Sequence, residues 1–229
     1  MASRLTVLNQ RIVGCRLCPR LMEYLKRVAK LKRRAYRDQT YWSRPLPGFG
    51  HASARLVIIG LAPGGHGSNR TGRMFTGDAS GIFLYCALHR AGFANRDHSD
   101  DPNDSLLLTD IFITAVCRCA PPDNKPSREE QANCRMFLLE ELALLSHLEG
   151  IVVLGRIALG GILAAYRTRG FTFPRIDFSH NRLFEMGQGL PWLITSYHPS
   201  RQNTQTGRLT QMDFDAIWVR VRGLLERMK

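Results

Sequence analysis

Three groups of residues in this chain have types and spacings that could do chemistry. The first is the run Leu56–Gly81, where an apolar tetrad, Leu-Val-Ile-Ile, breaks into a glycine-rich loop and then enters helix-forming sequence. Gly64, Gly65, Gly67, Gly72 and Gly77 permit tight turns and let a ligand approach bare backbone. Asp78 or Ser80 is placed to cap a helix starting near Ala79, and a helix N-terminus aimed into such a loop favours anions and polarised ligands. The loop matches neither G-x-x-x-x-G-K-[ST] nor G-x-G-x-x-G, so neither the NTPase nor the dinucleotide fingerprint is met. The second group begins at His198. It closes a predicted strand, and Pro199 restricts its backbone to extended conformations, so its imidazole is expected within reach of Phe75 and Asp78.

The third group is the cysteines, Cys15, Cys18, Cys86, Cys117, Cys119 and Cys134. In a reducing compartment such a set argues for metal or chemistry rather than disulfides. Cys15-Arg-Leu-Cys18 shares its spacing with redox pairs, but no strand precedes it. Cys15, Cys18, Cys119 and Cys134 together could hold tetrahedral zinc or a cubane iron–sulfur cluster. Cys117 competes with Cys119 as third ligand. Cys119 is preferred because the prolines after it turn the chain toward Cys134. Cys86 reads as a small core residue.

The elements that must position these groups alternate. Buried strands are expected at Leu56–Ile59, Leu106–Val116, Gly150–Leu154 and Leu190–Tyr197. Helices are expected at Arg20–Arg34, Ile82–Ala91 (stopped by Gly92), after the Ser127–Glu130 capping box, at Arg156–Tyr166 and at Gln211–Arg227. Tyr41–Gly50 and the acidic Asn95–Asp104 read as loops, the latter exposed. Unalternating apolar strands separated by helices imply a parallel sheet covered on both faces. With 229 residues, 44% of them hydrophobic, the chain suits one α/β domain spanning 1–229. No apolar stretch is long enough for a membrane span, and Met1–Asn9 lacks the apolar core and cleavage site of a secretory leader. A cytoplasmic protein without membrane association is the expectation. The net charge of +13 points to a polyanion, nucleic acid first. Lys26–Arg37 concentrates seven basic residues, either a solvated helix face or a backbone-contacting patch.

The run Gly60-Leu-Ala-Pro-Gly-Gly-His-Gly-Ser-Asn-Arg-Thr-Gly-Arg-Met-Phe-Thr-Gly-Asp-Ala-Ser-Gly81 closely resembles the first motif of the uracil-DNA glycosylase superfamily, in its family 5 form. His198-Pro-Ser-Arg-Gln-Asn-Thr-Gln-Thr-Gly-Arg208 resembles the second motif, and Cys119-Ala-Pro-Pro-Asp-Asn-Lys-Pro with Cys134 resembles the family's cluster-binding segment. The resemblance runs through nearly the whole chain in the right order. It implies a three-layer α/β/α sandwich with a central four-stranded parallel sheet. It also implies a 4Fe–4S cluster held by Cys15, Cys18, Cys119 and Cys134, and hydrolysis of the N-glycosidic bond of uracil in DNA at the start of base excision repair. Other deaminated bases, such as hypoxanthine, are implied substrates. One departure matters: where better-known relatives carry a water-activating Asp or Asn, this chain has Ala62, preceded by Leu61.

The catalytic polar group is therefore expected to be Asp78, a carboxylate that stabilises positive charge on the sugar and orients water. His198 is expected to donate a hydrogen bond to the leaving base. Phe75 would stack on the extruded base, Asn124 would read its edge, and Gly60, Ala62 and Gly64 would line its pocket. Arg70, Arg73, Arg201 and Arg208 are candidate phosphate contacts, and Gln202 and Asn203 candidate wedge residues filling the gap in the duplex. The first and second motifs hold no lysine, so a monofunctional enzyme is expected, acting as a monomer. A non-catalytic metal protein that binds nucleic acid is the alternative from another class.

Overall fold

The computed structural model describes residues 3–227. In chain order the elements are α1 (Arg4–Gly14), α2 (Pro19–Leu31), β1 (Phe49–Gly50), β2 (Leu56–Gly60), α3 (Ser68–Thr71), α4 (Ala79–Arg90), β3 (Ile111–Ala115), α5 (Arg128–Leu144), β4 (Gly150–Leu154), α6 (Arg156–Arg167), β5 (Arg182–Phe184), β6 (Trp192–Ser196), α7 (Arg201–Gln205) and α8 (Gln211–Arg227). Short 3₁₀ turns lie at Arg34–Tyr36 and Pro122–Asn124.

One sheet runs in the order β1-β3-β2-β4-β6-β5. Its middle four strands are parallel, as expected; the short edge strands β1 and β5 pair antiparallel and extend the sheet to six. Every residue of β2, β3, β4 and β6 is buried, which is why these segments read as continuous apolar runs. Side chains alternate between two cores. Leu56 and Ile58 pack with Leu84, Tyr85 and Leu88 of α4 and with Phe214, Trp218 and Val221 of α8. Val57 and Ile59 face the opposite core with Leu138 of α5 and Ile162 of α6. The result is a three-layer α/β/α sandwich.

The crossover from β2 to β3 goes through α4 on one face, whereas β4 to β6 goes through α6 on the other. Strand order therefore reverses between β2 and β4, and the crevice beyond their C-terminal ends is where open α/β sheets bind ligands. The glycine loop leaves β2 at that crevice, and His198 lies just beyond β6.

Two additions anchor the N-terminal part. Helix α1, not anticipated, starts at a Ser3 cap and packs Leu8 and Ile12 on Phe137 of α5. Beneath the sheet, buried Arg118 pairs with buried Glu141 at 2.5 Å, and Thr114 Oγ1 donates to Glu141 Oε2 at 2.6 Å. Gly48 N–H donates to the same carboxylate and Leu46 N–H to the Arg118 carbonyl. This network fixes the turn carrying Cys117 and Cys119. The expected strand Leu106–Val116 shortens to Ile111–Ala115, because Asp110 takes a positive φ just before it.

Candidate active site

The crevice opens into a cavity of about 810 Å³ lined by the glycine loop, Phe75, Asp78, Asn124, His198, Arg201 and Gln202. Asp78 is the N-cap of α4, as one of the two expected candidates; its Oδ1 accepts from Gly81 N–H at 3.0 Å. Its carboxylate lies against Gly64 and Gly67, and a Cβ at Gly67 would run into it. Gly67 is thus required by close approach rather than by φ. Burial raises the Asp78 pKa above the ordinary carboxylate value, opposed by backbone N–H groups of Gly81 and Ser80 and by Arg70 and Arg201.

Phe75 holds a positive φ of 54°, which turns its ring onto Gly60 at the end of β2. The ring stacks with the His198 imidazole, centroids 6.0 Å apart and planes 28° from parallel. Burial pushes His198 down to about 4, so its ring is neutral near pH 7. Asn203 Nδ2 donates to the His198 carbonyl at 2.8 Å, and the Ser200 side chain caps α7. Asn203 therefore braces the histidine's backbone and is not among the cavity-lining residues.

Asp78, His198, Phe75, Gly60, Ala62, Gly64 and Asn124 all line this one cavity, with Arg201 and Gln202 exposed at its edge. The other arginines are placed differently from the expectation. Arg70 is buried: Nε donates to the His66 carbonyl, Nη1 to Gln39 and Nη2 to the Gly77 carbonyl. Arg73 is buried too, paired with Asp104 at 2.6 Å and bonded to Ser99, Thr76 and the carbonyls of Asp101 and Pro102. Both guanidiniums knit the first motif to its surroundings, each donating internally from all three of its nitrogens. The Asn95–Asp104 segment is accordingly not all exposed, since Ser99 is buried under Arg73. Arg208 is exposed over the Tyr197 ring and lies outside the cavity. The cavity also includes Tyr24, Arg33, Tyr36 and His66, which sequence reasoning did not single out. The seven basic residues at Lys26–Arg37 were the available signal for Arg33.

A second, small and almost wholly apolar cavity lies between Cys15, Cys18, Cys119 and Cys134, with Leu17 and Phe137 closing it. All four are free thiols. Cys117 is not part of this cavity; it is buried in the sheet-side core, where the neighbouring Cys134 and burial raise its pKa. Asn133 Nδ2 donates to Cys18 Sγ at 3.6 Å. Burial and the neighbouring cysteines push the Cys119 thiol up, so thiolates here call for a compensating cation. Among the described residues, no three His, Cys, Asp or Glu side chains are arranged to hold a metal ion. Cys86 is only half-buried and donates to the Asp97 carbonyl at 3.2 Å.

The chain is similar to known proteins along most of its length. The sequence profile of the Uracil DNA glycosylase superfamily matches residues 47–222. The Type-5 uracil-DNA glycosylase of Thermus thermophilus is 50% identical over 205 residues, 90% of this chain and 91% of that protein. The Type-5 uracil-DNA glycosylase of Mycobacterium tuberculosis is 48% identical over 95% of this chain and 80% of its own length, and that of Pyrobaculum aerophilum 41% over 87% and 84%. With a parallel α/β core, a glycine loop and a strand-end histidine meeting at the topological switch, and relatives this close over most of its length, the chain belongs to the uracil DNA glycosylase superfamily, among its type-5 members.

Proposed function

We propose that this protein removes uracil from DNA by hydrolysing the N-glycosidic bond, opening base excision repair. The observation that carries the reading is that Asp78 and His198 line a single cavity of about 810 Å³, within the size range of small-molecule sites. Chemistry on a paired base requires its extrusion, at a cost of a few kcal/mol that is smallest for mismatched bases. The +13 charge supports sequence-independent affinity for the phosphate backbone. Phe75 stacks on the extruded base, and Asn124, at the cavity edge, reads it.

As the C1′–N bond breaks, its electron pair leaves with the base and positive charge develops on the sugar. The Asp78 carboxylate, fixed by its cap bond to Gly81, lies ready to stabilise that charge and to take the proton of the water that adds to C1′. His198 is neutral, so it serves the departing anion as an N–H donor rather than as a cation. Among the described residues no lysine lines the cavity, which favours a monofunctional enzyme without a Schiff-base step. Apolar Ala62 lines the pocket where a polar discriminator would sit, so fewer buried partners reject a wrong base, and hypoxanthine is accepted as well. Among the described residues no helix is long and apolar enough to cross a membrane.

The four-cysteine cavity suits a 4Fe–4S cluster ligated by Cys15, Cys18, Cys119 and Cys134. One zinc ion would draw four sulfurs to within about 3.8 Å of one another. A polynuclear cluster takes one thiolate per iron and tolerates wider spacing around an apolar core. When bound it would cross-link the start of α2 to the turn after β3 and to α5, a structural role away from the reacting atoms.

Incubating purified protein with a uracil-containing duplex, then cleaving with alkali, tests the activity. Scission at the uracil position is expected, and an intact strand with normal binding would instead indicate a non-catalytic DNA-binding protein. Parallel duplexes carrying hypoxanthine test the breadth, and cleavage confined to uracil would refute it.

A further inference from the structure

Arg33 and His66 are among the cavity-lining groups with no role in the scheme above. Arg33 precedes the 3₁₀ turn Arg34–Tyr36 and is exposed, and among the described residues its guanidinium has no ion-pair or hydrogen-bond partner. His66 sits one residue before Gly67, the glycine against which the Asp78 carboxylate packs. Its Nδ1 lies 3.0 Å from the hydroxyl of buried Tyr41. That hydroxyl has no other partner among the described residues, and a buried O–H without an acceptor is costly, so we assign it as donor to Nδ1, which places the ring proton on Nε2. Nε2 has no protein partner among the described residues, leaving an N–H donor on a residue that lines the cavity. Burial and the nearby Arg33 and Arg70 charges lower the His66 pKa, which keeps this tautomer neutral. Arg70, meanwhile, stacks 4.0 Å over Tyr36 while its donors are engaged internally, bracing the turn that follows Arg33.

An extruded nucleotide whose sugar faces Asp78 brings its phosphodiesters to the same part of the cavity. Of the guanidiniums in or beside the glycine loop, those of Arg70 and Arg73 are committed internally. We propose that Arg33 and the His66 Nε2–H form a subsite for a phosphodiester attached to the extruded deoxyribose, on the Asp78 side of the cavity. The proposal rests on the glycosylase reading, since it takes an extruded nucleotide as the ligand. Part of the basic Lys26–Arg37 segment thereby acquires a specific role, holding the lesion strand in the flipped state.

The test measures affinity for two duplexes, one undamaged and one with a tetrahydrofuran abasic analogue, at several salt concentrations. Arg33 is exposed, so Arg33→Ala is expected to fold normally. It should bind the analogue duplex about tenfold more weakly, as for loss of a charged hydrogen bond, with the salt slope reduced by about 0.9. Binding to undamaged duplex should fall by less than about twofold. A methylphosphonate beside the analogue, placed at each flanking phosphate in turn, should at one position weaken the wild type and leave Arg33→Ala no weaker than before. His66→Phe should lose about as much as Arg33→Ala, and His66→Gln, which keeps an N–H near Nε2, should restore most of it. Equal losses on both duplexes, or additive losses at both methylphosphonate positions, would overturn the subsite. Absence of uracil release by the wild-type protein would instead overturn the underlying enzymatic reading, independently of these affinities.

Discussion

Replacing Gly67 with alanine perturbs Asp78, the carboxylate proposed for the sugar side, without touching it chemically. A Cβ built at Gly67 falls 2.6 Å from Asp78 Cγ and 2.8 Å from its Cβ, and closer still to Oδ2. Non-bonded carbons settle at about 3.5–4.0 Å, so the carboxylate or the loop must move by about 1 Å. The carboxylate cannot swing away freely, because Oδ1 is held by Gly81 N–H at 3.0 Å. A displacement of about 1 Å at a catalytic group can cost on the order of 10²-fold in rate. Losing the cap costs about 1 kcal/mol, which for a chain of this size lowers Tm by about 2–4 °C. Gly65→Ala is the control: its Cβ meets Tyr24 Oη at 3.5 Å, an ordinary contact. Single-turnover uracil release on a saturating duplex, with a thermal melt alongside, reads both effects. Gly67→Ala should fall about 10²-fold in rate with duplex affinity kept, and Gly65→Ala should stay near wild type. Wild-type turnover by Gly67→Ala, or equal losses in the two variants, would refute the role given to the Asp78 position.

Asp78→Asn keeps a good N-cap but removes the charge, so turnover should drop by about 10²–10³ while duplex binding is retained. Folded Asp78 holds its proton more readily than the unfolded chain, so its ionisation costs stability above its folded pKa and nothing below the ordinary carboxylate range. Asp78→Asn should therefore melt no lower than wild type at neutral pH, an advantage that vanishes in acid. The pH profile of kcat/KM should lose activity on its acid limb above the ordinary Asp value of about 3.9, as Asp78 takes up its proton. It should show no inflection from His198 near 6.5, because that ring titrates at about 4. Cys134→Ser should abolish any iron–sulfur visible absorption and bound iron and lower Tm, since binding energy at such a site is folding energy.

The parallel core and the two motif loops were legible because period and punctuation carry them: unbroken apolar strands, a capping box at Ser127, and glycines at the loop. The edge strands β1 and β5 were not, since two- and three-residue segments such as Phe49–Gly50 carry no periodicity and pair only because a neighbouring strand exists. Helix α1 is hard to see in the sequence because only Leu8 and Ile12 of its residues are buried, too few to mark a helical period. Among site residues, Asp78 and His198 were readable from their positions at element ends. The arginines were not: spacing reveals a basic residue but not whether an acid such as Asp104, remote in sequence, folds over it. His66 was hidden for a similar reason, as its partner Tyr41 lies in a loop without regular structure.

The central claim concerns where one nucleotide lies. A structure of Asp78→Asn bound to a uracil-containing duplex measures it directly. The uracil is expected to be out of the helix, stacked on Phe75 and accepting from His198, with C1′ facing residue 78. A uracil still stacked in the duplex, or one bound away from this cavity, would contradict it.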